Sequence, residues 1–163
     1  MDTETRIRKI LLVEDDPQDV ELTLAALEEH HLASRVVVVR DGEKALDYLY
    51  RRGEFKTRSG GDPVLVMLDL KMPKVSGLQV LKIIKADAYL QIIPVVILSS
   101  SREEADLVGC YKHGVNAYVV KPVDFSVFLK TVKQLVLFWA EVNEPPPVAW
   151  REEAVQNGRG VLL

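Results

Sequence analysis

The stretch VLVMLDLKMPKVSG, residues 64–77, runs five apolar residues straight into a carboxylate, Asp69. A continuous apolar run of this length is the pattern of a strand buried on both faces of a parallel sheet. An ionised group at the end of such a strand is costly to desolvate unless the strand emerges there into a polar cleft. By itself, Asp69 can simply mark a strand end and the start of a loop. What the other strands carry at their own ends decides between the two readings.

Four more short strands and five helices can be read outward from this point. Residues 10–13, ILLV, form a strand closed by Glu14, Asp15, Asp16 and Pro17. Asp16 is placed to cap a helix whose first position is Pro17, and Val20, Leu24 and Leu27 follow at helical spacing. Residues 36–39 are all valine, a second strand, and Asp41-Gly42 then turns the chain into a short helix marked by Ala45, Leu46 and Leu49. Residues 51–62, RRGEFKTRSGGD, have charges and glycines but no periodicity and read as a surface loop.

The run at residues 64–68 is the third strand, followed by a helix over 77–86 with Leu78, Leu81 and Ile84 among its buried candidates. A fourth strand over 94–98 leads to Ser99-Ser100-Ser101, a fourth helix spans 103–113, and Gly114 is its stop signal. Residues 118–120 form the fifth strand, ending at Lys121-Pro122, and Asp124 is placed to cap a fifth helix. Strands that alternate strictly with helices imply an α/β fold, a doubly wound parallel sheet with helices on both faces. Ligands of such sheets bind outside the carboxyl ends of the strands, where the strand order switches.

Composition narrows the function classes. The 163 residues suit one domain with a sizeable core. A net charge of −3 gives no electrostatic footprint for nucleic acid. The single cysteine, Cys110, excludes an intrachain disulfide and a thiolate metal cage. It reads as a small core residue on the fourth helix. The short apolar run at 10–13 is neither a signal peptide nor a membrane span, so a cytoplasmic protein is expected. His30, His31 and His113 lie near helix ends, where an imidazole can satisfy carbonyls.

The groups that collect at the strand ends are Glu14 and Asp15, then Asp69, Ser99 and Lys121. Clustered carboxylates repel one another, and a divalent cation removes the conflict. Hard oxygen donors in this number suit magnesium, which keeps several waters and completes its shell from a phosphate. A carboxylate beside magnesium can attack phosphorus and form an acyl phosphate. Asp69 is then the acceptor, Asp15 a direct metal ligand, Glu14 a partner through metal-bound water and the Lys71 carbonyl the main-chain ligand. Lys121 neutralises charge and Ser99 donates to a phosphoryl oxygen.

These residues resemble the receiver domains of bacterial response regulators, the family that includes CheY. ILLVEDD carries the acidic pair, MLDLKMPKVSG the phospho-acceptor, VVILSSS the hydroxyl, and YVVKP the switch aromatic Tyr118 with the lysine. The match covers roughly residues 7–139, and the spacings of Asp69, Ser99 and Lys121 are also similar to the family's. The resemblance implies a flavodoxin-like five-stranded sheet in the order 2-1-3-4-5. It further implies phosphorylation by a sensor histidine kinase, with Ser99 and Tyr118 shifting together. The loop at 51–62, the chain beyond the fifth helix and Phe138-Trp139 look like the single-domain regulators that partner phytochrome histidine kinases. Lys71 and Ser101 occupy positions that tune phosphoryl lifetime in this family.

Two rival chemistries fit less well. A haloacid-dehalogenase-type phosphotransferase carries a second aspartate two residues after its nucleophile, where this chain has Lys71. A flavodoxin-like flavin binder needs a phosphate loop after strand one, where Glu14-Asp15-Asp16 would repel phosphate. A receiver-like module that binds partners without phosphorylation is the remaining alternative. The expected organisation is a receiver domain over residues 7–141 and a C-terminal extension over 142–163 that serves as a dimerisation arm. In the fifth helix the stripe Phe128, Val132, Leu135 and Trp139 is expected to face the sheet. Leu129, Val136 and Phe138 then form an apolar surplus for a homodimer.

Overall fold

The computed structural model describes residues 7–147. Five strands, β1 (Ile10–Val13), β2 (Val36–Val39), β3 (Leu65–Leu68), β4 (Val95–Ser99) and β5 (Ala117–Val120), form one sheet in the order β2-β1-β3-β4-β5. Every pairing is parallel, with Leu12 opposite both Val38 and Met67, and Leu68 opposite Ile97. The helices are α1 (Pro17–Glu28), α2 (Gly42–Tyr50), α3 (Gly77–Ala86), α4 (Glu104–Lys112) and α5 (Phe125–Leu137). The α/β class and the flavodoxin-like strand order are thus as expected, and the chain runs on beyond α5, as expected, here as a further helical turn.

The pleat divides the core in two. Leu11, Val13, Val66, Leu68 and Ile97 point to one face and pack with Ala45, Leu81, Ile84 and Cys110 from α2, α3 and α4. Ile10, Leu12, Leu65, Met67 and Leu98 point to the other and meet Val20 and Leu27 of α1 and Phe128, Val132 and Val136 of α5. Strands β1, β3 and β4 are buried on both faces, which is why their sequences read as unbroken apolar runs.

Helix starts follow from their caps. Asp16 accepts from the amides of Gln18 and Asp19, with Pro17 at the first helical position. Asp41 and Asp124 cap α2 and α5, and Ser76 and Gln79 form a reciprocal capping box on α3. At the end of α4, Gly114 takes a φ of +81°, a conformation that a Cβ disfavours.

One expectation needs correction. In α5 the buried positions are Phe128, Val132 and Val136, continued by Ala140, whereas Leu135 and Trp139 are half-buried. Val136 therefore belongs to the core and not to an apolar surplus. Past Leu137 the backbone widens into a π turn, Phe138–Val142. Arg8 donates to the Ala140 carbonyl at 3.0 Å and Arg35 pairs with Glu141, fastening this turn to the domain. Phe138 and Val142 remain exposed. The arm expected over 142–163 lies mostly outside the described residues.

Residues 51–62 form a surface loop, as expected, and the loop has internal structure of its own. They include a 3-10 turn, Gly53–Phe55, and a largely buried ion pair between Arg58 and Asp62. The Arg58 guanidinium lies 4.2 Å from the centroid of the Tyr48 ring and donates to the carbonyls of Tyr48 and Gly61. The segment returns to the amino-terminal edge of the sheet, where the Val64 amide donates to the Lys9 carbonyl. Among the described residues, no helix is long and apolar enough to cross a membrane.

Candidate functional site

The chain leaves β1 for β2 on one side and for β3, β4 and β5 on the other, so the strand order switches between β1 and β3. Glu14 and Asp69 are the residues immediately beyond those two strands. Their backbones are still pinned by the sheet, since Glu14 donates its amide to the Val39 carbonyl and Asp69 to the Val13 carbonyl, each at 3.1 Å. Lys121, one residue past β5, donates to the Ser99 carbonyl at 2.8 Å. One further rung of each ladder therefore fixes where these charged side chains begin.

The β3–α3 loop is folded tightly behind Asp69. The Gly77 amide donates to the Leu70 carbonyl at 2.9 Å, and a Cβ on Gly77 would collide with the Asp69 carbonyl oxygen. Lys71 is exposed in this loop.

Carboxylate oxygens of Glu14, Asp15 and Asp69 all lie within 4.8 Å of one another. Glu14 is 3% exposed and Asp69 9%, whereas Asp15 is open to solvent. Lys121 reaches into this group. Its Nζ lies 2.8 Å from Glu14 Oε2, 2.7 Å from Asp19 Oδ2 and 3.5 Å from Asp69 Oδ2. The other Glu14 oxygen accepts from the Asp16 amide. Among the described residues, the Asp69 carboxylate accepts no hydrogen bond, which leaves its lone pairs available to an incoming group.

Charge balance here is tight. Burial pushes the Glu14 carboxyl up to about 7, against the Lys121 ammonium that pulls it down, and the Asp69 charge adds to the rise. Burial acts to lower the Lys121 pKa, but its contacts with Asp19 and Glu14 prevail and hold it above the ordinary lysine value. A buried carboxyl that resists ionisation beside two more carboxylates is the condition a divalent cation relieves. Three hard oxygen donors with one side open to water suit magnesium or manganese. The residues present fit such an ion.

Ser99 ends β4 on the same edge and is 1% exposed, its Oγ accepting from the Ser101 amide. Ser101 in turn donates to Asp106 of α4, and the Tyr118 hydroxyl donates to the Ser101 carbonyl at 2.9 Å. The strand-end residues chosen from sequence thus share one edge of the sheet, with Glu14, Asp15, Asp69 and Lys121 in direct proximity. Sequence reading missed Asp19, which comes from the first turn of α1. The signal for it was faint, because an acidic residue there ordinarily does no more than complement the helix dipole.

A family model described as the response regulator receiver domain matches residues 10–133. Response regulator Rcp1 of Synechocystis is 36% identical over 137 residues, 84% of this chain and 92% of Rcp1. The probable methanogenesis regulatory protein FilR2 of Methanothrix harundinacea is 39% identical over 140 residues, 84% of this chain and 86% of FilR2. The phosphorylated cyanobacterial phytochrome response regulator RcpA superposes with a TM-score of 0.80 at 40% identity, covering 86% of this chain and 99% of RcpA. The bacteriophytochrome response regulator AtBRR is 59% identical, with a TM-score of 0.67 and coverage of 85% and 99%. Rcp1 is also known in a Mn(2+)-bound form, matching at 34% identity and a TM-score of 0.79 over 86% of this chain and 99% of that one. Receiver domains bind magnesium or manganese in an acidic pocket, and the Glu14, Asp15 and Asp69 group fits one. This chain therefore belongs to the response regulator receiver domain family, and within it is similar to the phytochrome response regulators.

Proposed function

We propose that this chain is a cytoplasmic, single-domain response regulator that accepts a phosphoryl group on Asp69 from a sensor histidine kinase of the phytochrome type. One observation carries the reading: three carboxylates, Glu14, Asp15 and Asp69, converge beside the Lys121 ammonium at the switch point of the sheet. Magnesium would be held by Asp15, Asp69 and the Lys71 carbonyl, with Glu14 acting through water. When bound, the cation neutralises the charge that builds on the transferring phosphoryl group.

The chain's own residues do the rest. An Asp69 oxygen attacks phosphorus, the bond from phosphorus to the donor nitrogen or acyl oxygen breaks, and the donor leaves with that electron pair. Lys121 and the Ser99 hydroxyl hold phosphoryl oxygens. Water later cleaves the acyl phosphate, restoring Asp69 and releasing phosphate. The protein assists its own modification and does no other catalysis. Ser99 and Tyr118 shift together on modification and signal through protein contacts.

The working unit is a receiver over residues 7–141 with a dimerisation arm over 142–163. Exposed Phe138, just before that arm, and Val142, its first residue, supply apolar surface for a symmetric homodimer.

Incubation with acetyl phosphate and magnesium tests the chemistry. The wild type should gain hydroxylamine-sensitive label and Asp69→Asn should gain none; undiminished labelling of the variant overturns the assignment. No labelling of either protein leaves a module that binds partners without phosphorylation. Because FilR2 is as similar as Rcp1, the partner class is tested separately by transfer from purified phytochrome-type and other histidine kinases. Light scattering reads the assembly: a full-length monomer at micromolar concentration removes the dimer.

A further inference from the structure

The Lys121 ammonium has three N–H donors. Glu14 takes one at 2.8 Å and Asp19 another at 2.7 Å, while Asp69 lies at 3.5 Å, beyond good hydrogen-bond distance. Asp19 stands apart from the strand ends. It is held on the first turn of α1, where its amide donates to the capping Asp16 and its carbonyl accepts from the Thr23 hydroxyl at 2.7 Å. It is also outside the group of carboxylates that can share a cation, which comprises Glu14, Asp15 and Asp69. A cation bound there would draw Glu14 and Asp69 away from the lysine and leave Asp19 as its standing partner.

We infer that Asp19 is a positioning residue that parks Lys121 on the α1 side of the site. The parked ammonium leaves room for the cation before modification. Afterwards it must exchange Asp19 for a phosphoryl oxygen. Asp19 thereby sets how readily Lys121 moves between the two, with opposite effects on the two ligands. The inference rests on Asp69 being the acceptor.

Replacing Asp19 by asparagine lets Lys121 lean on Glu14 and Asp69, where it competes with the cation. The same change removes the partner that Lys121 would have to leave for the phosphoryl group. Asp19→Asn should therefore weaken magnesium binding and tighten beryllofluoride binding at saturating magnesium, each by about threefold, the scale of a partly exposed ion pair. Asp19→Glu should lie near the wild type. Loss of folding would weaken both ligands together, so opposite signs exclude it.

Repeating the change on Lys121→Gln separates parking from bare charge. Both shifts should vanish there, and magnesium calorimetry reads the cycle even where beryllofluoride binding has become weak. Shifts of full size in that background, or no shift in Asp19→Asn alone, overturn the inference. Acetyl phosphate labelling of the wild type runs alongside. If it fails, the acceptor reading falls and the inference with it. If it succeeds while the shifts do not appear, the inference alone is lost.

Discussion

The Tyr118 hydroxyl donates a 2.9 Å hydrogen bond to the main-chain oxygen of Ser101, tying β5 to the loop that follows β4. Ser101 is bound on every side: its amide donates to Ser99 Oγ, and its hydroxyl donates to Asp106 and accepts from the Glu103 amide. A shift of the Ser99 hydroxyl toward a phosphoryl group would deprive the Ser101 amide of its partner, and that loss reaches both α4 and Tyr118. Tyr118→Phe removes one end of this connection and leaves the carboxylate site untouched. The expected result is unchanged labelling by acetyl phosphate, with smaller amide shifts in α4 and β5 on phosphorylation, read by NMR. The stability cost should be about 1 kcal/mol, the usual size for one such bond.

Gly77 is the sharpest steric test of the acceptor loop. A Cβ there would strike the Asp69 carbonyl oxygen and come within 2.7 Å of the Leu70 Cα, both backbone atoms that cannot swing aside. Gly77→Ala should lower stability by about 1–3 kcal/mol, the range for overpacking, and slow labelling because Asp69 is displaced. Gly109 on α4 is the control. Its Cβ would meet only Leu78 side-chain carbons, at 3.5 Å, so alanine there should raise stability by about 0.5–1 kcal/mol through helix propensity. Urea unfolding of the two variants gives opposite signs if this packing is right.

The strands and site edge were legible because two independent signals coincide at each strand end. An apolar run sets the strand, and the charged or hydroxyl residue that ends it must emerge where water can reach. The α5 face was not legible, since nearly every position from Val127 to Trp139 that matters is apolar and periodicity cannot choose among the rows. The expected stripe ended on Trp139, whereas the buried i+4 row from Phe128 through Val136 ends on small Ala140. Asp19 was hidden for a different reason: only the tertiary fold brings the start of α1 to Lys121, 102 positions away. Arg58 likewise shows no local pattern, because its partner is the face of the Tyr48 ring.

That buried arginine makes the 51–62 segment a stability element remote from the chemistry. Arg58→Ala removes bonds to the Tyr48 and Gly61 carbonyls, the Asp62 ion pair and the stacking on Tyr48. The expected loss is about 1–3 kcal/mol in urea, with labelling of Asp69 unchanged because the segment meets the sheet at its amino-terminal edge. Shortening the segment should act in the same way. A large drop in the labelling rate of folded protein would contradict this separation.

Glu14 supplies the pH dependence. Its folded pKa of about 7 stands above the ordinary 4.5, with burial the main cause, so the folded protein holds this proton more tightly than the unfolded chain. The resulting stabilisation is complete below about pH 4.5 and is lost as the pH climbs through about 7, up to about 3 kcal/mol in all. Lys121, raised above the ordinary lysine value, stays charged across this window and adds no slope. Metal-free protein should therefore melt lower at pH 8 than at pH 5.5, and Glu14→Gln, which has no proton to lose, should flatten the difference. Magnesium should restore the wild type most at pH 8, because the cation and the proton compete for the same carboxylate. Thermal melts with chelator and with magnesium check both statements. A metal-free wild type that gains stability over the variant as the pH rises would mean that Glu14 is already ionised at low pH, held so by Lys121 despite its burial.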